Sequence, residues 1–286
     1  MLRATILGVL LGWTSLVQAQ QFVTFKAANS TSDTSTMSAA LTLSKASASP
    51  DTKKAAVVLL HSAGGWEWDV TAQYAKALGD AGFIVLEPRM FASASNTPAP
   101  LTLMPWVYGA LQYLASRDDV DPKRIGVAGF SLGGLLALHS AASWTQQTYA
   151  GQANLKFAAH APFYPICWGF LAVSQGKRRP PALPVNAFST WTGVPVKIFA
   201  GGKDDYDGRD PAVCGQFVAS LPAEFQKSFS VQVYPDATHG WDQKSASFHE
   251  SFACKGSGCT VRNESNPTIT AQSIADVVAF FKMALQ

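Results

Sequence analysis

The sequence predicts an α/β architecture: a mostly parallel central sheet with helices on both faces. Three observations predict it. The chain is 48% hydrophobic and only 14% charged, ample material for a buried core in 286 residues. From Lys54 onward, short apolar runs alternate with segments of helical period. Those runs are apolar continuously rather than at every second position, as strands buried on both faces require.

The elements follow in order. Residues 20 to 50 are rich in Ser, Thr and Ala, and the alternation in "QFVTFKA" and "MSAALTLS" predicts a short hairpin at a sheet edge. Strands are then expected at "AAVVLLH" (55–61), "FIVLEP" (83–88), "RIGVAGF" (124–130), "KFAAHAPFYP" (156–165), "VPVKIFAGG" (194–202) and "SFSVQVYP" (228–235). Helices are expected near 70–81, 103–117, 132–143, 210–220 and 268–284. No linker interrupts this alternation, so residues 20–286 read as one domain. Residues 164–193, with several prolines and Trp168, Phe188 and Trp191, read as a long excursion over one end of the sheet.

The first nineteen residues have the layout of a secretory signal: Arg3, an apolar stretch around Ile6 to Leu16, then Val17-Gln18-Ala19 as a small-residue cleavage site. The stretch is well under the roughly 20 residues that span a bilayer, and no later segment is long enough. Cleavage after Ala19 predicts a secreted or periplasmic protein. It removes Arg3 from 22 basic residues against 19 acidic ones, and the remaining excess of two is too small to argue for nucleic acid. Export places Cys167, Cys214, Cys254 and Cys259 in an oxidising compartment. Cys254 and Cys259 bracket a flexible Lys-Gly-Ser-Gly tether, which favours a local bridge and leaves Cys167 for Cys214; a zinc site with His249 is the rival arrangement.

Chemistry enters at Gly129-Phe130-Ser131-Leu132-Gly133, a G-x-S-x-G sequence between an expected strand and an expected helix. In that context it reads as a nucleophile elbow: small neighbours let the backbone turn sharply and lift the serine above the sheet. Gly134 lets the helix pack tightly on the strand. Ser131 then heads a helix whose first free N–H, that of Leu132, is placed to stabilise an oxyanion. Gly129 to Gly134 has the spacing of a phosphate-binding loop, but Leu135-Leu136 stands where that loop needs Lys and Ser or Thr.

Two later strand ends supply partners in the order Ser, acid, His. Strand 194–202 runs into Lys203-Asp204-Asp205-Tyr206-Asp207, and strand 228–235 into Asp236-Ala237-Thr238-His239-Gly240. His239 is the expected base; of Asp204, Asp205 and Asp207, Asp204, the first acid beyond its strand, is favoured, with Asp205 next. A second oxyanion N–H is expected from Ser62 or Ala63 in "HSAGGWEW", with His61 structural. Trp66 and Trp68 are candidate acyl-pocket walls, and Arg89, His160 and Trp241 candidate pocket residues near strand ends.

These residues resemble the dienelactone hydrolases of the α/β-hydrolase fold. The likeness rests on "VVLLHSAGG" (57–65), "LGDAGFIVLEPRMF" (78–91), "DPKRIGVAGFSLGG" (121–134), "PVKIFAGGKDD" (195–205) and "YPDATHGWD" (234–242). It implies a triad mapping onto Ser131, Asp204 and His239, the acid matching the family's G-x-x-D at Gly201-Gly202-Lys203-Asp204. The exported branch often carries cysteines at the positions of Cys167 and Cys214. Founding members use Cys as nucleophile where this chain has Ser131, and a serine suits ordinary carboxylic esters. The expectation is an esterase acting on a small-molecule ester, without metal or cofactor, as a monomer or homodimer. Amide hydrolysis or acyl transfer on the same triad, or a non-catalytic binding protein on this fold, are the other readings.

Overall fold

The computed structural model describes residues 20–29, 35–45, 52–68, 70–151, 154–178, 180, 183–255 and 257–286; the expected signal peptide, 1–19, lies outside them. In chain order the strands are β1 (Gln20–Lys26), β2 (Thr36–Thr42), β3 (Lys54–Leu60), β4 (Ile84–Pro88), β5 (Val120–Phe130), β6 (Ala159–Phe163), β7 (Val196–Gly201), β8 (Phe229–Tyr234), β9 (Ser247–Ser251) and β10 (Cys259–Asn263). The helices are α1 (Thr71–Asp80), α2 (Met104–Ala115), α3 (Leu132–His139), α4 (Ser143–Tyr149), α5 (Cys167–Ser174), α6 (Val213–Ala219), α7 (Ala223–Gln226) and α8 (Pro267–Ala284).

Eight strands form one sheet in the order β1-β2-β4-β3-β5-β6-β7-β8. From β4 to β8 every pairing is parallel. The β1–β2 hairpin adds antiparallel at the β4 edge, where the sequence places it. One face packs on α1 and α8 through Tyr74, Leu78, Val277 and Phe281. The other packs on α2 and α3 near β3 and β5, and on α5 and α6 near β7. The expected helix over 132–143 stops at His139, and α4 begins after a turn in which Ala142 bridges to Trp191. The excursion after residue 164 is not bare loop: α5 and the buried Leu183, Phe188 and Trp191 form a layer over α3 and α6. Its driving force is burial of large apolar side chains, on the order of 2 kcal/mol each.

The topology places the site. From β3 the chain crosses through α1 to β4 on one side, then through α2 to β5 on the other, so the winding reverses between β3 and β5. A crevice forms at the carboxyl ends of strands at such a reversal. Leu60 pairs with Gly129 in register, so His61 and Ser62 emerge beside Phe130 and Ser131.

Asp242, fully buried, ties the layers together behind this crevice. Its carboxylate accepts from Tyr74 of α1 at 2.9 Å and from Tyr164, just past β6, at 2.7 Å. Its carbonyl accepts from Gln73 at 3.1 Å. Burial pushes this carboxyl up to about 6. Its proton is thus bound more tightly in the folded than in the unfolded chain, and the corresponding stability is present below pH 4 and lost as pH rises through 6. Asp242→Asn does not titrate. The unfolding free energy of that variant relative to wild type is expected to shift in the variant's favour by on the order of 3 kcal/mol between pH 4 and pH 8, read by denaturant titration. A constant difference over that range would refute it.

Candidate active site

The site grows from a backbone constraint. Ser131, between β5 and α3, is held at φ 52° and ψ −110°, a region non-glycine residues rarely enter. Its N–H donates to the Phe163 carbonyl of β6 at 3.1 Å, and its carbonyl accepts from Leu135 at 2.7 Å. The turn closes because its neighbours lack side chains. A Cβ on Gly129 would lie 2.2 Å from the Gly133 carbonyl oxygen, and one on Gly133 2.2 Å from that of Leu60. Chain contacts this close are open only to glycine.

The other two strand ends deliver their residues to the same point. His239 Nε2 lies 2.8 Å from Ser131 Oγ, and His239 Nδ1 lies 2.8 Å from Asp204 Oδ2. The Asp204 neighbour fixes the tautomer: Nδ1 carries the proton, and Nε2 accepts from the serine. Both His239 and Asp204 are buried, while Ser131 is half-buried. The second Asp204 oxygen accepts from the Tyr206 N–H at 2.9 Å. Tyr164 and Tyr206 pack their rings edge-on against the imidazole, at 4.8 and 4.5 Å.

The acidic loop divides its carboxylates among three tasks. Asp204 faces His239. Asp205 turns the other way and takes the Arg262 N–H at 3.0 Å and its guanidinium at 3.3 Å. Asp207 accepts from the N–H groups of Cys167 and Trp168, at 3.2 and 2.9 Å, where α5 begins. Burial, and then the nearby charge of Asp204, push Asp207 up to about 7.

Ser62 and Ala63 stand in the loop after β3, which folds back through a Gly65 N–H to Ser62 carbonyl bond of 3.1 Å. His61 holds that loop. Its Nε2 accepts from the Met90 N–H at 3.1 Å and its Nδ1 donates to the Ser62 carbonyl at 2.9 Å. Burial drives it down to about 4, so it is neutral at ordinary pH. Leu132 is the first residue of α3, where an N–H has no acceptor within the helix.

The remaining candidates are dispersed. His160 is wholly buried and second in β6, remote from that strand's carboxyl end, bonded through Nδ1 to Ser140 and the Ala137 carbonyl. Trp241 is wholly buried, its indole donating to Ser273 Oγ at 3.3 Å. Both are core residues, because their side chains point into the layers beside the sheet rather than over its end. The Arg89 guanidinium lies over the rings of Phe22 and Trp66, 4.4 and 4.6 Å from their centroids. Trp66 therefore packs toward the β1 edge; Trp68 shares its turn, and the Trp68 side chain lies outside the described residues.

The cysteines pair as Cys167–Cys214, joining α5 to α6, and Cys254–Cys259, closing the β9–β10 hairpin. His249 of that hairpin bonds Tyr206 through Nε2 at 2.9 Å instead of a metal-site cysteine. The sequence reading had no place for this hairpin or for Tyr206. Only "CTVRN" carries an apolar–polar alternation, and "SFHES" carries none, so the sequence signal for this hairpin is weak.

The sequence profile of the dienelactone hydrolase family matches residues 39–285. No curated protein matches the chain. Among solved structures, a dienelactone hydrolase from Anabaena variabilis is 16% identical, covering 94% of this chain and 99% of its own, with a TM-score of 0.59. Thermogutta terrifontis esterase 2, solved phosphorylated by paraoxon, is 14% identical over 92% of each chain, with a TM-score of 0.59. An esterase from Pyrococcus furiosus is 14% identical over 94% of each chain, with a TM-score of 0.58. At these identities the likeness is one of fold.

The tight turn makes a direct prediction. Gly133→Ala drives a Cβ into backbone that cannot yield, and is expected to cost about 2 kcal/mol or more, a fall in Tm of roughly 4–8 °C. A melting curve coincident with wild type would contradict the packing described.

Proposed function

This chain belongs to the dienelactone hydrolase family, and from that premise we propose that it is a serine hydrolase of carboxylic esters with Ser131 as nucleophile. The observation that carries the reading is the unbroken line of contacts from Ser131 Oγ through His239 to Asp204, each of 2.8 Å.

In the proposed cycle the Ser131 hydroxyl gives its proton to His239 Nε2 as Oγ bonds to the ester carbonyl carbon. The negative charge that develops on the carbonyl oxygen is met by the N–H of Leu132 and that of Ser62 or Ala63. Asp204 keeps Nδ1 protonated and stabilises the imidazolium. The carbon–oxygen bond to the alcohol breaks as His239 returns the proton to that oxygen. A water then repeats the sequence on the acyl-enzyme, releasing the acid and restoring Ser131. Every proton is accounted for by one imidazole, so the cycle calls for no metal or cofactor.

Serine in place of the founding members' cysteine favours ordinary esters: an alkoxide made by the adjacent base suffices, where a thiolate family relies on a lowered thiol pKa. Secretion is part of the proposal. It is supported by the leader ending at Ala19, by two disulfides, which persist in oxidising compartments, and by the lack, among described residues, of a helix long and apolar enough to cross a membrane.

Ser131→Ala is expected to lower kcat on p-nitrophenyl acetate by on the order of 10^5-fold or more with folding intact, and to abolish labelling by a fluorophosphonate. Undiminished turnover would sink the assignment. The two neighbouring acids are separated by a second pair of variants. Asp204→Asn should reduce kcat by on the order of 10^4-fold, and Asp205→Asn, whose native carboxylate faces Arg262, by less than about tenfold. The reverse ranking would move the acid to Asp205.

A further inference from the structure

A partly open apolar cavity of about 350 Å³ lies between α3, α5, the 99–101 segment and the loop that carries Phe188. Its walls include Leu135, His139, Ile166, Trp168, Phe188 and Ala253 of the disulfide-closed hairpin. Ser131, Leu135 and His139 are spaced four apart, so the cavity floor continues the helix face headed by the nucleophile. Ile166 leaves β6 three residues after Phe163, whose carbonyl holds the Ser131 N–H. Of the lining residues, Leu135 thus stands one helical turn from Ser131, and Ile166 just past the strand that holds its N–H.

The lining has a definite chemistry. Among the described residues Arg178 is its single charged side chain, and Arg178 is exposed, with its guanidinium 4.9 Å over the Trp168 ring. No acid lines it. His139 is packed between the rings of Phe170 and Phe188, and burial drives it down to about 3, so it adds no charge at neutral pH. Gly169 of α5 is one of the lining residues, and an added Cβ there would meet nothing within 4 Å.

We propose that this cavity is the acyl subsite, and that the preferred substrates are esters of an uncharged, apolar acid of roughly ten carbons, an aryl-alkanoyl or medium-chain acyl group. This rests on the reading of Ser131 as nucleophile. An apolar cavity of about 150 Å³ holds one benzene, so this one holds a ring together with its connecting chain. The acyl side is assigned because the leaving oxygen must stay within reach of His239 Nε2. The other substituent of the carbonyl carbon is then the one free to run along the Leu135–His139 ridge.

The test compares p-nitrophenyl 4-phenylbutanoate with p-nitrophenyl acetate, whose carbonyls are electronically similar. Wild type should show kcat/KM at least about tenfold higher on the phenylbutanoate, with p-nitrophenyl hemisuccinate no better than acetate. Gly169→Phe, which fills the cavity from a helix position that tolerates a side chain, should bring the phenylbutanoate-to-acetate ratio down toward one; Gly169→Leu serves the same purpose if Phe disturbs folding. Equal rates on acetate and phenylbutanoate, a preference for the hemisuccinate, or a ratio untouched by a folded filling variant would each overturn the proposal. A separate binding measurement keeps it distinct from the catalytic reading. 5-Phenylpentan-2-one, an uncleavable ketone with the same carbon chain, should bind Ser131→Ala protein by calorimetry and lose that binding when Gly169→Phe is added. If that pattern holds in a protein that cleaves no ester, the cavity stands and the hydrolase reading fails; if the ketone does not bind, the subsite falls.

Discussion

Ser131 sits at φ 52° and ψ −110° because β5 and α3 meet more closely than side chains would allow. Strain of this kind costs on the order of 1–3 kcal/mol and persists only where its surroundings over-determine it. Here they do. Gly129 and Gly133 lie against carbonyls of α3 and β3, and the Ser131 N–H is taken by β6. The turn that raises the hydroxyl above the sheet also aims the start of α3 at it. One backbone geometry therefore supplies both the proposed nucleophile and one of the dipoles that face it.

The partners of Ser131 are held from behind by groups that never touch it. Asp242, three residues beyond His239, receives hydroxyls from α1 and from the end of β6. Tyr206 orders the acid with its N–H and flanks the imidazole with its ring, and its hydroxyl meets the β9–β10 hairpin through His249. Asp205 reaches the same hairpin through Arg262. The acidic loop is thus fixed on both sides, which selects one carboxylate of three for the histidine.

The disulfides brace two pieces outside the central sheet, one packed on its own apolar layer and one largely exposed. Cys167–Cys214 fastens α5 to α6, and Asp207 accepts the first two N–H groups of α5, so the start of this short helix is held by a covalent bond and a buried carboxyl together. Cys254–Cys259 closes a hairpin outside the main sheet, with Phe248 and Phe252 largely exposed. A cross-link stabilises mainly by restricting the unfolded chain, more for longer loops, so the bridge spanning 47 residues contributes more than the one spanning 5. Both braced pieces border the apolar cavity.

The sequence by itself determined the parallel sheet, its six central strands to within a few residues, the edge hairpin, and the positions of Ser131, Asp204 and His239 beyond the ends of three of those strands. Those features are local or periodic: burial on two faces makes a continuous apolar run, and a sharp strand–helix turn demands glycines at fixed spacing. Only the tertiary structure decided which way each side chain points. It sent Asp204 and Asp205 in opposite directions, turned Arg89 onto Phe22 and Trp66, and sank His160 and Trp241 into the core, because orientation depends on neighbours distant in sequence. The cavity was illegible for the same reason: its walls come from five separated stretches of chain, and its shape depends on a side chain that Gly169 does not have.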